Sequence, residues 1–183
     1  DRRGDSRLMK NLSSRFGFQF YETEPVKVGG EFVSSTLIRK AVRKGNLTQA
    51  KRFLGCPFSI FASVIRGKGR GRQLGYPTAN LRPHSEILPP AGVYPVEIRE
   101  RLYHLKPTIE VFEFEFVLEN PGEWKQGVLN YGIRPTLDSE TADPIPEVFI
   151  LNYCGDLYGK TVEVIFHPRL REEKRFEDSN ELI

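Results

Sequence analysis

The sequence predicts a mainly β protein, an antiparallel barrel or sandwich of six strands, preceded by a small α/β segment. From residue 58 onward, short runs of β-forming residues alternate with Gly, Pro and Asn. In one of these runs, TIEVFEFEFVLE (108–119), phenylalanines alternate with glutamates, which is typical of a strand with one buried and one solvated face. Residues 1–55 carry helix signals instead. We therefore predict two domains, 1–55 and 56–183.

The first segment contains signals for three helices and one strand. A helix is expected over 5–15, with Gly17 after its end, and an alternating run over 18–28 predicts a strand broken at Pro25. A second helix begins at Ser34 or Ser35 and stops at Gly45. A third starts from the cap Asn46 and ends near residue 55. This segment is too short to be a complete α/β domain.

The second segment contains only strand signals until its last residues. The six predicted strands cover residues 58–65, 92–100, 108–119, 125–132, 146–153 and 161–168. Their spacing favours antiparallel neighbours joined by turns, which is why the predicted fold is a barrel or a sandwich.

Composition limits the classes of function. Of the 183 residues, 39% are hydrophobic and 28% are charged, which indicates a soluble globular protein, and a net charge of +3 does not by itself indicate a polyanionic partner. Two cysteines argue against a disulfide framework and against a cysteine zinc site. We find no apolar run as long as a membrane span and no secretory signal, so we expect a cytoplasmic protein without a membrane partner.

The stretch RGKGRGRQLGYPTANL (66–81) is the most distinctive in the sequence. It lacks the third glycine of a dinucleotide-binding fingerprint, since position 72 is Arg, and it lacks the Gly-Lys-Ser/Thr of a P-loop. Alternating glycines nevertheless allow successive backbone N–H groups to form an anion-binding concavity, to which the intervening basic residues add charge. We therefore predict phosphate binding by Gly67, Lys68, Gly69, Arg70, Gly71 and Arg72.

Two features near this loop suggest phosphoryl chemistry. Thr78 and Asn80 alternate along an extended segment, so both side-chain oxygens face one way, and neutral oxygens beside phosphates are suitable ligands for Mg²⁺. Glu147 follows Pro146 and precedes an apolar run, which makes it a candidate general base. From the residues alone, a solvent-facing glutamate at a strand end is an equally good interpretation.

A second hypothesis for the same loop is non-enzymatic. Arg/Gly runs on small β-barrels also bind the phosphate backbone of nucleic acids. Such sites usually interleave aromatic residues that stack on bases, and only Tyr76 lies near this loop. The residues therefore favour a nucleotide over a nucleic acid, with the nucleic-acid-binding barrel as the alternative.

Five segments, in order, resemble the riboflavin kinase family. They are GKGRGRQLGYPTANL (67–81), LPPAGVY (88–94), NYGIRPT (130–136), EVFILNYCGDLYGKTVEV (147–164) and LREEKRF (170–176). The stretch SSTLIRKAVRKGNLTQAKRFLGCPFSI (34–60) resembles the junction of bacterial bifunctional FAD synthetases, where an adenylyltransferase domain leads into the kinase. Residues 99–124 show little of the family's pattern and are interpreted as a variable hairpin.

The resemblance implies ATP- and Mg²⁺-dependent phosphorylation of riboflavin, giving FMN and ADP as part of FAD biosynthesis, on a six-stranded antiparallel (Greek-key) barrel. It does not imply a nucleic-acid partner. The His-x-Gly-His motif of the adenylyltransferase is absent from this chain, so FMN adenylylation is expected only of a longer protein.

The resemblance also implies roles for individual residues. Glu147 would be the catalytic base, Thr78 and Asn80 would hold Mg²⁺ and the nucleotide, and the glycine-rich loop would wrap the nucleotide. The implied flavin-binding residues are Arg171, Glu173 and Phe176. The implied ATP-phosphate contacts of the adenylyltransferase remnant are Ser34, Ser35, Thr36 and Arg39. Arg134 is either a ligand contact or a turn residue.

Overall fold

A computed structural model describes residues 5–67, 77–85, 87–107, 114–119, 122–132 and 145–173, with backbone only for 102–107 and 114–119. The chain divides into two compact units, Asp1–Ser34 and Ser35–Ile183. Among the described residues, no helix combines the length and the apolar character needed to cross a membrane.

The first unit contains one helix and one short hairpin. Helix α1 (Ser6–Phe16) begins at Asp5, whose carboxylate accepts a hydrogen bond from the Leu8 N–H, and ends at Gly17, as predicted. Strands β1 (Lys27–Val28) and β2 (Glu31–Phe32) pair with each other. Of the strand predicted over 18–28, only the last two residues form a strand, and they pair with residues 31–32. The prediction is wrong for residues 18–26. No described residue of this unit is buried.

The second unit opens with two helices. Helix α2 (Ser35–Arg43) and helix α3 (Leu47–Leu54) contact each other through a small cluster formed by Ala41, Val42 and Ala50. The Asn46 side chain accepts a hydrogen bond from the Gln49 N–H and so caps α3. Both helices are confirmed. They belong to the same compact unit as the strands that follow, and the domain boundary between residues 55 and 56 stays a prediction.

The strands of this unit form a closed antiparallel barrel. They are β3 (Ser59–Ile65), β4 (Thr78–Pro83), β5 (Gly92–Pro107), β6 (Phe114–Glu119), β7 (Lys125–Tyr131), β8 (Glu147–Ile150) and β9 (Thr161–Phe166). Their order in the sheet is β6-β5-β7-β8-β4-β3-β9, and β9 also pairs with β5. This last pairing closes six strands, β5-β7-β8-β4-β3-β9, into a barrel. The predicted fold class is confirmed.

The six barrel strands are not all the predicted ones. Strand β4, absent from the predicted set, lies between β3 and β8. The run over 108–119 contributes β6, which pairs only with the distal part of β5 and lies outside the closed barrel. The reason is the length of β5: its 16 residues reach beyond the barrel and form a hairpin with β6. The phenylalanine–glutamate faces of that run lie outside the described side chains.

The barrel core is formed by alternate residues of each strand, since successive side chains point to opposite faces of the sheet. One inward row of cross-strand partners contains Ala79, Val148, Leu129 and Tyr94, and the last three are fully buried. The remaining buried hydrophobic residues of the core are Leu47, Ile60, Ala62, Val64, Leu81, Val96, Ile98, Ile150, Val162, Val164 and Phe166. Residues between these positions point outward, which determines where functional side chains can lie.

An ion cluster lies on the outside of the β5–β9 seam. Glu163, 8% exposed, accepts hydrogen bonds from Arg99, Arg101 and the Ser59 hydroxyl. The Arg99 Nη2–Oε2 distance is 2.8 Å. Burial by itself raises the pKa of Glu163, but the hydrogen bonds from the two arginines and from Ser59 outweigh it, so the pKa lies below its usual value.

We predict that Glu163→Gln destabilises the fold by about 2–3 kcal/mol near neutral pH, because two arginines lose their shared anion. The carboxylate stabilises the fold above its unfolded-state pKa, about 4.3, and this contribution is lost as pH falls through the lower folded-state pKa. The gap between wild type and variant should therefore narrow in acid. Urea denaturation at a series of pH values measures this gap. Glu97→Gln is the matched control, since Glu97 forms a more exposed pair with His167 at the same seam. An equal effect of both changes would contradict the prediction.

Candidate active site

Three polar side chains lie next to one another on neighbouring strands. Asn80 on β4 is the cross-strand partner of Glu147 on β8, and Glu147 is in turn the partner of Asn130 on β7. Directly opposed residues of antiparallel strands share one face of the sheet, with Cβ atoms about 5 Å apart. Because the adjacent row with Val148 and Leu129 is in the core, these three residues face the outside of the barrel.

The same row extends around the barrel. On β3, Ile65 pairs with Asn80. On β5, Val93 pairs with Asn130, and beyond it Arg171 forms an isolated bridge with Val93. We call this series the outer row, and its members in order are Ile65, Asn80, Glu147, Asn130, Val93 and Arg171. The outer row thus joins the predicted metal ligand, the predicted base and one predicted flavin-binding residue.

Asn80 faces outward, yet it is only 6% exposed. The backbone of Gly67 covers it so closely that a Cβ added at position 67 would come within 2.7 Å of the Asn80 Cγ. The first glycine of the loop therefore has a packing role that the sequence did not reveal. Thr78, two residues earlier on the same strand face, is half-buried and pairs with Phe149.

The oxygen donors on this face suit a cation that is shared with a ligand. Among the described residues, no group of three or more His, Cys, Asp or Glu side chains could hold a metal by itself. The neutral oxygens of Thr78 and Asn80, with the Glu147 carboxylate in the next strand, form a partial set. Mg²⁺ keeps several waters and accepts substrate phosphates, so this set fits Mg²⁺ bound together with a nucleotide.

Glu147 is placed by backbone pairing on both sides. It is the first residue of β8 and is half-buried, not fully solvated. The residue before it, Pro146, is buried, and its carbonyl accepts a hydrogen bond from the Leu81 N–H at 2.8 Å. The entry into β8 is therefore attached to β4. Glu147 is therefore not the fully solvent-exposed glutamate of the alternative interpretation. Its role as a base stays a prediction.

The entry to the glycine-rich loop is attached to the turn over 151–160. The Arg66 guanidinium lies 5.4 Å from the ring centroid of Tyr158, and the Gly159 N–H donates to the Val64 carbonyl at 2.9 Å. Tyr158 is 44% exposed beside Arg66. Five predicted phosphate-binding residues lie outside the described part of the chain, and they are Lys68, Gly69, Arg70, Gly71 and Arg72.

The segment after β9 lies along the start of β5 and the end of β7. The Val93 N–H donates to the Arg171 carbonyl, and the Leu170 N–H donates to the Val93 carbonyl, both at 2.9 Å. The Glu173 carboxylate lies against Gly132, where an added Cβ would overlap it. Of the predicted flavin-binding residues, Arg171 is therefore a member of the outer row, and Glu173 lies against Gly132 just after β7. Phe176 and Arg134 lie outside the described residues.

The residues predicted as an adenylyltransferase remnant lie at the start of α2. Ser34 immediately precedes the helix, Ser35 and Thr36 are its first residues, and Arg39 follows in the next turn. All four are exposed. Their contact with ATP phosphates stays a prediction.

Asn130 was not identified as a site residue from the sequence. It lies in the NYGIRPT segment, but nothing in that segment indicates which strand opposes it. Its position beside Glu147 is a matter of register between strands about 17 residues apart, and register is set by tertiary pairing.

Comparison with known proteins identifies similar chains. The sequence model of the family described as flavokinase, riboflavin kinase, matches residues 54–183. Proteins described as bifunctional riboflavin kinase/FMN adenylyltransferase are similar over nearly the whole chain. The one from Haemophilus influenzae is 33% identical over 99% of this chain and 52% of its own length. Those from Pseudomonas fluorescens and Escherichia coli K12 are 34% and 33% identical, over 96% and 99% of this chain and 50% and 51% of their own lengths.

A solved structure of a protein from Streptococcus pneumoniae, described as a macrolide-efflux protein, is also similar. It superposes with a TM-score of 0.66 at 29% identity, covering 94% of this chain and 50% of that one. The chain spans about half the length of the curated relatives that it matches.

We predict that Gly67→Ala displaces the Asn80 side chain and destabilises the protein by about 1–3 kcal/mol, because the added methyl group overlaps the amide. Gly122→Ala is the matched control, since its added Cβ would have no neighbour closer than 3.5 Å. Denaturant unfolding measures the stability of both variants, and the side-chain NH₂ resonances of Asn80 report its position. Unchanged stability together with unshifted resonances in Gly67→Ala would refute the prediction.

Proposed function

Because the chain belongs to the riboflavin kinase family, we propose that it transfers the γ-phosphoryl group of ATP to riboflavin, producing FMN and ADP. The observation that carries this proposal is the pairing of Asn80 with Glu147 on the outer face of the barrel. It brings a candidate nucleotide–metal ligand next to a candidate base in adjacent strands, which a phosphotransferase requires and a simple polyanion binder does not.

Phosphoryl transfer depends mainly on alignment and on neutralising charge. Thr78 and Asn80 would hold Mg²⁺ with the nucleotide, and the bound ion would neutralise charge on the phosphates. The loop that begins at Gly67 would cover the phosphates with backbone N–H groups and basic side chains.

Glu147 would accept the proton of the terminal ribityl hydroxyl as that oxygen attacks the phosphorus atom. Its position beside Asn80 in the outer row supports this role. The attacking hydroxyl must lie next to the base, and the phosphate that it attacks must lie next to the metal, so the base and the metal ligand have to be neighbours. A base of this kind contributes about 10²–10⁴-fold to the rate. Arg171, at the far end of the outer row, and Glu173, beside Gly132, would contact the flavin.

FMN adenylylation is proposed only for a longer protein. The relatives that carry both activities in their names are about twice as long as this chain. The Ser34, Ser35, Thr36 and Arg39 group would contribute to that second activity.

We expect this chain, given riboflavin, ATP and Mg²⁺, to form FMN without FAD, and chelation of Mg²⁺ with EDTA to stop the reaction. Chromatographic separation of riboflavin, FMN and FAD measures both outcomes. Formation of FAD would show that this chain, with residues 1–55, also adenylylates FMN, contrary to the proposal. No FMN from a folded chain would refute the kinase proposal. Salt-dependent retention on single-stranded nucleic acid would then favour the alternative, a nucleic-acid-binding barrel.

Glu147→Gln should lower kcat by about 10²–10⁴-fold while the fold and the KM for ATP change little, because the amide accepts no proton. Glu123→Gln is the control, since Glu123 is an exposed glutamate ahead of β7, at the other end of that strand from Asn130. Steady-state kinetics and circular dichroism measure the two effects. A Glu147→Gln enzyme as fast as wild type would exclude Glu147 as the base.

A further inference from the structure

We propose that Asn130 binds the polyol chain of the flavin substrate and makes the site selective for a hydroxylated chain over a plain alkyl one. The inference rests on the proposed function. It starts from the register that makes Asn130 the partner of Glu147 on the side away from Asn80. Glu147 thus lies between two amides, and only one of them is assigned to the nucleotide.

The order of the outer row gives the substrate a direction. Asn80 lies on the nucleotide side of Glu147, covered by the start of the glycine-rich loop. Arg171 lies on the other side, beyond Asn130 and Val93. A substrate with its reactive hydroxyl at Glu147 and its ring near Arg171 must extend its connecting chain past Asn130. In riboflavin, that connecting chain is the polyol.

The chemistry of the side chain suits this position. A carboxamide both donates and accepts hydrogen bonds and carries no charge, which matches hydroxyl groups that also do both. Asn130 is exposed, whereas the Asn80 amide is covered by Gly67. Neighbouring residues of the row are about 5 Å apart, so hydroxyls next to the one held by Glu147 come within reach of the Asn130 amide.

The test compares two substrates with the same ring. One is riboflavin, and the other is a flavin with an unbranched hydroxypentyl chain, which keeps the terminal hydroxyl and lacks the internal ones. For Asn130→Ala, we expect kcat/KM for riboflavin to fall about tenfold, the effect of one lost hydrogen bond, while kcat/KM for the hydroxypentyl flavin changes less than about twofold. The preference of the enzyme for riboflavin should therefore collapse.

One further measurement and one control variant distinguish a role of Asn130 in binding from a role in structural support. Quenching of flavin fluorescence without ATP should show weaker riboflavin binding by Asn130→Ala and unchanged binding of the hydroxypentyl flavin. Gln126→Ala is the matched control, because Gln126 is an exposed carboxamide four residues earlier on the same face of β7, and it should affect neither substrate.

The outcomes separate this inference from the proposed function. Equal losses with both flavins would mean that Asn130 supports Glu147 or the fold and would overturn the inference, as would no loss with either. If wild type phosphorylates neither flavin, the proposed function fails first and the inference fails with it. A selective loss with riboflavin, on a wild type that forms FMN, supports both.

Discussion

The register of β8 between β4 and β7 is the constraint on which the candidate site depends. Val148 points into the core, so Glu147 must point outward. Backbone pairing of β8 with β4 and with β7 fixes this orientation. A slip of one residue would bury the carboxylate and expose the valine, which costs both hydrophobic burial and the desolvation of a charge. The core therefore selects the face on which the proposed chemistry occurs.

Closure of the barrel positions the last two residues of the outer row, Val93 and Arg171. Strand β5 pairs with β7 over residues 92–98 and with β9 over residues 96–101, so residues 96–98 are held on both edges. Val93 can then hold the chain at Arg171, which places the segment after β9 next to the end of β7. On the same seam, the Glu163 carboxylate accepts hydrogen bonds from two arginines outside the barrel, so a charged cluster spans the edge that closes the barrel.

The described part of the site is made mostly of neutral groups. Asn80, Asn130 and Thr78 contribute amides and a hydroxyl, and Glu147 is the one carboxylate of the outer row. Such a site leaves most of the charge to the ligand, which suits a nucleotide that binds together with its metal. The close contact of Gly67 with Asn80 links the start of the basic loop to this neutral face, so the loop proposed to bind phosphates begins beside the proposed metal ligand.

The sequence by itself determined the mainly β class, the three helices with the cap at Asn46, and the candidates Asn80 and Glu147, because these depend on local signals and short motifs. Only the tertiary structure decided that 78–83 is a barrel strand, that the 108–119 run lies outside the barrel, and that Asn130 is the neighbour of Glu147. Strand membership and register depend on which distant segments pair and which faces they bury. No local pattern contains that information, since a strand's alternation defines its two faces and not its neighbours.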